Sequence, residues 1–368
     1  MRGLYIHIPF CVKKCKYCDF NSFMFSSEDK KTYLTALFKN MEMYKGEEID
    51  TVFIGGGTPT SLDSSELAML IDKIRLNFKL AENCEFTVEM NPKTDDCEKL
   101  TIMKKKGVTR LSIGVQTFCD EELYNIGRIH SVSDAIETIE LVKECGFENF
   151  SIDLMSALPG QNLESLKKSL EVAIDMSPAH ISCYSLILEE GTPLYEEYIR
   201  GELNLPDEDE ERLMYDTAVK MLEDAGYKRY EISNFAKDGF CSKHNIKYWK
   251  CSEYIGIGIS AHSYVNGKRF SMTDDFDKYI EGNFSKCNEE VLSKDDMMSE
   301  FAFLGLRMDE GISSKEFYER FGVNFEDVFK APINKFSEIG VICKNGDNWR
   351  ISPEAVGISN SIMCEFIL

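Results

Sequence analysis

The chain has 368 residues, of which 43% are hydrophobic and 29% charged, and its formal net charge is −21. We expect no nucleic-acid partner with this balance, because affinity for nucleic acids comes mainly from Lys and Arg side chains that neutralise phosphates. No apolar run approaches the ~20 residues of a membrane-spanning helix, so we expect at most peripheral membrane contact.

Length and cysteine content predict the domain organisation and the compartment. Single hydrophobic cores stop growing near ~250–300 residues, which predicts one large domain and a smaller one. The 13 cysteines are odd in number and scattered along the chain, unlike the paired framework of a secreted, disulfide-rich domain. No export signal is visible at the N-terminus. We therefore expect a cytoplasmic protein with mostly reduced thiols, and the sequence leaves room for a dimer.

The first predicted strand, 4–10, leads directly into the segment "CVKKCKYC", which contains Cys11, Cys15 and Cys18. Zinc sites and ferredoxins usually use C-x2-C pairs, and this C-x3-C-x2-C spacing fits neither. Three thiolates on a short loop can hold three irons of a [4Fe–4S] cube and leave the fourth iron open to a small molecule. Two alternatives are three unrelated cysteines and a zinc site completed by a remote ligand.

Strands then alternate with amphipathic helices, the pattern of consecutive βα units around a parallel sheet. Six such units predict a partial barrel with ligands at the carboxyl ends of its strands. The strands are predicted at 4–10, 51–57, 85–91, 110–116, 149–155 and 180–187, and the helices at 28–44, 64–77, 94–106, 133–145 and 163–175.

Each predicted strand end carries glycine or a polar side chain. The second strand ends in the turn 55–60, "GGGTPT", and the next three end near Glu89, Gln116 and Asp153. Any one of these residues could cap the following helix instead. Because the carboxyl ends of parallel strands share one rim, their convergence there favours a cofactor pocket.

A later segment, "HNIKYW", contains one of the five histidines, His244, together with Tyr248 and Trp249. Imidazole is a good axial ligand for haem iron, and aromatic faces can stack on a porphyrin. Packing is the alternative role for such a histidine, and Cys241 and Cys251 on either side could form a zinc site with it. His262 is a secondary candidate, for which a hydrogen-bonded place in the core is the favoured interpretation.

From about residue 290 the sequence predicts a small domain. A long helix is followed by a turn at Gly311, a helix capped by Ser313 or Ser314, a helix around 325–338 and a hairpin with its turn at 345–346. This order suggests a winged-helix-like lid or docking element, and its net acidic composition argues against DNA binding.

The cysteine spacing, with Tyr17 just before the last cysteine, resembles the signature of the radical S-adenosylmethionine (SAM) superfamily. In that superfamily three cysteines hold a [4Fe–4S] cluster and SAM chelates the open iron, so the cofactor supplies the radical chemistry. The resemblance implies an α/β fold, a partial (β/α)6 radical-SAM barrel with a small α+β winged-helix-like C-terminal domain. We predict the barrel at 1–210, an extension carrying the HNxxYW segment at 211–289, and the C-terminal domain at 290–368.

Nearly the entire chain is similar to the branch that contains oxygen-independent coproporphyrinogen III oxidase. The motifs that carry the similarity are "YIHIPFC", "FIGGGTPT", "EMNP", "SIGVQTF", "IDLMSALPGQ" and "EEGTPL". It implies that Cys11, Cys15 and Cys18 ligate the cluster and that Gly56, Gly57 and Thr58 contact the methionine end of SAM. It further implies that the rest of the SAM pocket is lined by Glu89, Gln116, Arg128 and Asp153, with Tyr5 as another contact. His7, two residues after Tyr5, should face the same side of the strand.

Two departures weigh against oxidase activity. The oxidase has a further cysteine two positions after its third cluster cysteine, where this chain has Phe20, and it has an extension ahead of the first strand. The absence of both features, together with the pattern His-Asn-x-x-Tyr-Trp, resembles the non-oxidase members of the branch, the HemW-type haem chaperones. That resemblance implies haem binding at His244, Tyr248 and Trp249 and delivery to apo-haemoproteins. The alternative is an enzyme that uses a SAM-derived radical to oxidise a porphyrinogen.

Overall fold

A computed structural model describes residues 1–368, and twelve of its strands form one mixed sheet. These are β1 (Arg2–Ile8), β2 (Glu48–Gly56), β3 (Lys79–Met90), β4 (Arg110–Gln116), β5 (Phe150–Ser156), β6 (His180–Ser185), β7 (Lys228–Glu231), β8 (Asn234–Ala236), β9 (Tyr254–Ile257), β10 (His262–Val265), β11 (Lys268–Met272) and β12 (Lys286–Val291).

Strands β1 to β6 are adjacent in sequence order and parallel throughout, as six βα units require. Strand β9 adds in parallel beside β1, and β10, β11 and β12 continue that edge in antiparallel fashion. Strands β8 and β7 extend the other edge from β6. The predicted partial barrel is confirmed, and the segments predicted as barrel and extension share one hydrogen-bonded sheet.

Helices pack against this sheet over a core of 48 buried residues. Several begin at capping boxes, in which the side chain of Ser26, Asp63, Ser131 or Asn162 accepts a hydrogen bond from the first turn. The helices are α1 (Ser27–Glu42), α2 (Ser64–Asn77), α3 (Cys97–Lys105), α4 (Asp120–Asn125), α5 (Val132–Glu144), α6 (Leu163–Asp175), α7 (Pro193–Ile199), α8 (Glu208–Asp224), α9 (Lys243–Trp249) and α10 (Phe276–Ile280).

The helix predicted from residue 94 begins only at Cys97. The Asp96 side chain accepts a hydrogen bond from the Lys99 N–H at 2.8 Å, which fixes the start of α3. Residues 91–96 are therefore a loop at the carboxyl end of β3.

The C-terminal part has its own core of 18 buried residues, as the predicted second domain requires. Three ion pairs join it to the large sheet: Arg229 with Asp309 at 2.7 Å, Arg307 with Glu231 at 3.1 Å and Arg269 with Glu300 at 2.6 Å. Its elements are α11 (Lys294–Leu306), β13 (Ile312–Ser313), α12 (Ser314–Phe321), α13 (Phe325–Val328), α14 (Lys330–Glu338), β14 (Ile342–Asn345), β15 (Asn348–Ile351) and α15 (Ser359–Met363).

Two details of this domain differ from the sequence prediction. The helix around 325–338 is split at Phe329 into α13 and α14. The hairpin turn lies at 346–347, one residue later than predicted, because Asn345 still pairs with Asn348 and Gly346 takes the positive φ of 61°. No helix in the structure combines the length and the apolarity needed to cross a bilayer.

Candidate functional site

The carboxyl ends of the parallel strands surround a cavity of about 150 Å³. It brings the three cysteines of the loop after β1 together with six of the eight residues predicted to contact SAM. Its lining includes Cys11, Cys15, Cys18, Gly56, Gly57, Glu89, Gln116, Arg128 and Asp153.

The cysteine loop is held at both ends by backbone hydrogen bonds. The Cys11 N–H donates to the Phe23 carbonyl at 2.9 Å, and the Lys16 N–H donates to the Ile126 carbonyl at 3.0 Å. The three thiols are free and half-buried. They share the cavity with the predicted SAM residues, and this three-donor arrangement fits a cluster with one iron left open.

The glycine turn after β2 packs directly under this loop. A Cβ on Gly57 would lie 2.7 Å from the Phe10 carbonyl oxygen and 3.0 Å from the Cys11 sulfur. A Cβ on Gly56, whose φ is +113°, would lie 2.6 Å from the His7 ring. Thr58 Oγ1 lies 3.7 Å from the Cys11 sulfur. Only glycine fits at either position, so the turn is shaped for close approach of the backbone.

Arg128 connects the cysteine loop to the strand ends. One guanidinium nitrogen lies 3.5 Å from the Cys15 sulfur, and the other donates to the Asn91 side chain at 2.7 Å and to the Gly114 carbonyl. Asn91 in turn donates to Thr58 at 2.7 Å. Sequence reasoning missed Asn91, although it lies in the quoted motif "EMNP" and follows Glu89 by two residues.

Asp153 lies in the barrel lumen and accepts hydrogen bonds from three serine hydroxyls at 2.7 to 3.0 Å. The neighbouring Glu89 accepts the Gly56 N–H at 3.1 Å. Burial, followed by the charge of Asp153, raises the pKa of Glu89 to about 8. Burial therefore favours the neutral form of the Glu89 carboxyl.

Gln116 has the positive φ of 74°, which is strained for a residue with a side chain. Its side-chain oxygen accepts a hydrogen bond from the Tyr184 hydroxyl at 3.2 Å. Tyr184 also lines the cavity and was missed, because nothing in the β6 sequence marks it. Tyr5 lies outside the cavity lining, and its hydroxyl is 3.0 Å from Nδ1 of His7, which shares its side of β1 as predicted.

The HNxxYW segment forms α9, which crosses the opposite, amino end of the barrel. His244 is buried, with only 1% of its surface exposed. Its Nδ1 is 2.9 Å from the Thr51 hydroxyl and its Nε2 is 2.8 Å from the Tyr248 hydroxyl. Its ring stacks on Phe53, and burial lowers its pKa to about 3.

The three residues of the motif do not converge on one surface. Trp249 turns towards the C-terminal domain, where the Arg307 guanidinium lies 4.4 Å from its ring. Both imidazole nitrogens of His244 are hydrogen-bonded, so neither is free for a zinc ion, and His244, Cys241 and Cys251 are not placed around one metal position. His262 is exposed on β10, so the interpretation of a core histidine is wrong.

Comparison with protein families agrees with this arrangement. The radical SAM superfamily model matches residues 5–173, and the HemN C-terminal domain model matches residues 292–357. The Bacillus subtilis protein named heme chaperone HemW is 39% identical, with 100% of this chain and 99% of that protein covered. Proteins of the same name from Lactococcus lactis and Escherichia coli are 36% and 34% identical, with 99% of this chain and 97% and 98% of those proteins covered.

Among solved structures, Escherichia coli coproporphyrinogen III oxidase (HemN), a radical SAM enzyme, superimposes with a TM-score of 0.85. The match covers 99% of this chain and 89% of the oxidase at 20% identity. At that identity the likeness establishes the shared fold.

Proposed function

Since this chain belongs to the HemW family of haem chaperones within the radical SAM superfamily, we propose that it binds haem and delivers it to apo-haemoproteins. The observation that carries the proposal is the 39% identity to a protein of that name over the full length of both chains. We place this activity in the cytoplasm, in keeping with the sequence expectation.

We propose that Cys11, Cys15 and Cys18 hold a [4Fe–4S] cluster, because their thiols line one cavity. When bound there, the cluster with SAM supplies one-electron chemistry. Gly56 and Gly57 leave room for the methionine end of SAM, beside Thr58. Glu89, Gln116, Arg128 and Asp153 would position the remainder of SAM, with Tyr5 deeper in the barrel.

The haem side of the proposal assigns His244, Tyr248 and Trp249 as haem-binding residues. For His244 to ligate iron, one of its two ring hydrogen bonds must break, either the one between Nε2 and the Tyr248 hydroxyl or the one between Nδ1 and the Thr51 hydroxyl, and α9 must move to expose the buried ring. His244 can therefore ligate iron only after α9 has moved out of its present position.

The test is a haem titration of the anaerobically reconstituted protein, followed by its Soret spectrum, with parent and His244→Ala compared. We expect one haem per chain in the parent and weaker or spectrally shifted binding in the variant. Haem-loaded parent should then convert an apo-haemoprotein to its haem-bound spectrum. A parent that shows no saturable haem binding contradicts the proposal.

Porphyrinogen oxidation is the alternative function, favoured only by the fold shared with the oxidase. Coproporphyrinogen, SAM and a reductant should give no porphyrin with this protein, because Phe20 stands where the oxidase has its additional cysteine. Porphyrin formation above the background without protein would favour the enzyme.

A further inference from the structure

Two cysteines outside the cofactor cavity place their sulfur atoms in contact. Cys97 begins α3 and Cys145 caps the end of α5, and the Cys145 thiol donates a hydrogen bond to the Cys97 sulfur at 3.7 Å. Cys97 is exposed and Cys145 is half-buried. Neither residue belongs to the proposed cofactor or haem sites. The two thiols therefore form a separate pair that solvent can reach.

A second contact holds the two helices together beside this pair. Lys104, in the last turn of α3, donates a hydrogen bond to the Gly146 carbonyl, and its ammonium group lies 5.0 Å from the centre of the Phe147 ring. The fold thus fixes α3 against the end of α5 at both ends of α3. A disulfide has an S–S bond of about 2.05 Å, so a small approach of the two helix ends is enough to join the sulfur atoms.

The two thiols of the pair differ in their surroundings. Burial, followed by the hydrogen bond to Cys97, raises the pKa of Cys145 to about 11. Cys145 is therefore a protonated thiol at neutral pH, and Cys97 is the one that small molecules reach first. An accessible cysteine beside a shielded second one is the arrangement in which the first thiol reacts with an oxidant and the second completes a disulfide.

We propose that Cys97 and Cys145 form a reversible disulfide by exchange with small disulfides, and that this disulfide weakens SAM binding. The Cys97 sulfur, after losing its proton to solvent, attacks the small disulfide, forms a mixed disulfide and releases one thiolate. Cys145 then loses its proton, and its sulfur attacks the Cys97 sulfur, which breaks the mixed disulfide and releases the second thiolate. The two thiolates take up the two protons, so one small disulfide is reduced to two thiols while the protein pair is oxidised.

Hydrogen bonds connect the pair to the glycine turn after β2. Lys99, in the same first turn of α3 as Cys97, donates to the Thr60 carbonyl at 2.9 Å and to the Thr94 carbonyl at 2.8 Å. Thr60 ends the turn 55–60, whose glycines are proposed to leave room for SAM. Because a disulfide draws the two sulfur atoms closer than 3.7 Å, it displaces the first turn of α3 relative to the glycine turn.

The loop between β3 and α3 provides a second connection to the cofactor cavity. The Asn91 side chain donates to Thr58 at 2.7 Å and accepts a hydrogen bond from Arg128 at 2.7 Å. Two residues later, the Lys93 N–H donates to the hydroxyl of Thr138 on α5 at 3.2 Å. The loop therefore contacts α5 and the cofactor cavity at once, so a change in the spacing of α3 and α5 reaches the cavity. The effect on SAM rests on the proposed function, whereas formation of the disulfide does not.

The experiment incubates the full-length, cluster-reconstituted protein with oxidised glutathione under anaerobic conditions, followed by iodoacetamide alkylation and peptide mass spectrometry. We expect a peptide that links Cys97 to Cys145 and that disappears on treatment with dithiothreitol. Cys145→Ser should instead retain glutathione on Cys97, because the second thiol is missing. Cys364 is the internal control, an exposed cysteine that should carry glutathione in parent and variant alike. A parent in which Cys97 retains glutathione as Cys364 does overturns the inference.

Equilibrium dialysis of SAM measures the consequence of the disulfide. The disulfide form of the parent should bind SAM about fivefold more weakly than the reduced form, at the lower end of typical couplings between two sites. Dithiothreitol should restore the affinity. The control is Cys97→Ser, which lacks the reacting thiol and should bind SAM equally before and after the oxidant.

Equal SAM affinities of the two parent forms overturn the coupling between the thiol pair and the cofactor cavity. A reduced parent that binds no SAM instead removes the proposed SAM site. The linked peptide distinguishes these two failures, because it forms whether or not SAM binds.

Discussion

The two ends of the barrel differ in the surroundings of their polar side chains, which face a cavity at one end and are hydrogen-bonded within the protein at the other. At the carboxyl end, three thiols, Glu89 and Arg128 face a common cavity. At the amino end, both nitrogens of His244 are bonded to Thr51 and Tyr248, and Glu85 accepts the first N–H groups of α9. Polar groups that face a cavity can bind a ligand directly. Groups that are already hydrogen-bonded within the protein must lose one of those hydrogen bonds for each bond they form with a ligand. We infer that the binding site at the carboxyl end is preformed, whereas α9 is closed, in the sense that it must move before His244 can bind a ligand.

Cys15→Ser should have the largest effect, because it removes one of the three proposed cluster ligands and leaves the amino end untouched. Iron and sulfide should fall from about four of each per chain to near zero, with loss of the broad visible absorption of the cluster. Far-ultraviolet circular dichroism should be unchanged.

Cys97→Ser is the matched control, since this cysteine is exposed outside the cavity and should leave the iron content unaltered. Full iron content in Cys15→Ser would contradict the assignment of the cysteine loop.

Asp153→Asn should weaken SAM binding by about tenfold, the equivalent of about 1.4 kcal/mol, because the carboxylate charge beside the ligand is lost. Equilibrium dialysis of the reconstituted protein measures this directly. The control is Asp72→Asn on the exposed face of α2, which removes the same negative charge away from the cavity and should leave SAM affinity unaltered. Equal SAM affinities for the parent and Asp153→Asn would remove Asp153 from the site.

The sequence was enough to group the residues at the carboxyl end, because a parallel barrel brings the ends of its strands together there. Once six βα units are recognised, Glu89, Gln116 and Asp153 must share a rim. It failed for α9, whose position depends on contacts between residues 193 and 159 positions apart, His244 with Thr51 and with Glu85. A helix of seven residues with two aromatic side chains has no periodicity that indicates which end of a sheet it covers.

Thr51→Val tests the closed end by removing one partner of the His244 ring while keeping its shape. Leaving a buried imidazole nitrogen without a hydrogen bond should lower the free energy of unfolding by about 2 kcal/mol. Hydrogen exchange over residues 243–249 should accelerate, with the carboxyl end unchanged.

The control is Thr35→Val on the exposed face of α1, which should change the free energy of unfolding only slightly in a urea titration. If Thr51→Val is as stable as the parent and hydrogen exchange in α9 is equally slow, the contact between Thr51 and His244 does not hold α9 in place.

The smallest effect concerns pH at the amino end, where His180 is fully buried between Ser151 and Tyr230. Burial holds its pKa well below the ordinary value, so the folded protein keeps this ring neutral while the unfolded chain takes up a proton near pH 6.5. The stability from the neutral ring is therefore complete above pH 6.5 and declines as pH falls towards the folded pKa. From pH 7 to 5.5 the decline should be about 1 kcal/mol by urea unfolding. His180→Gln should remove that part of the slope, whereas His262→Gln, at an exposed position, should alter it less. An unchanged slope in His180→Gln would show that this ring is hydrated in the folded protein, and that the amino end of the barrel is open rather than closed.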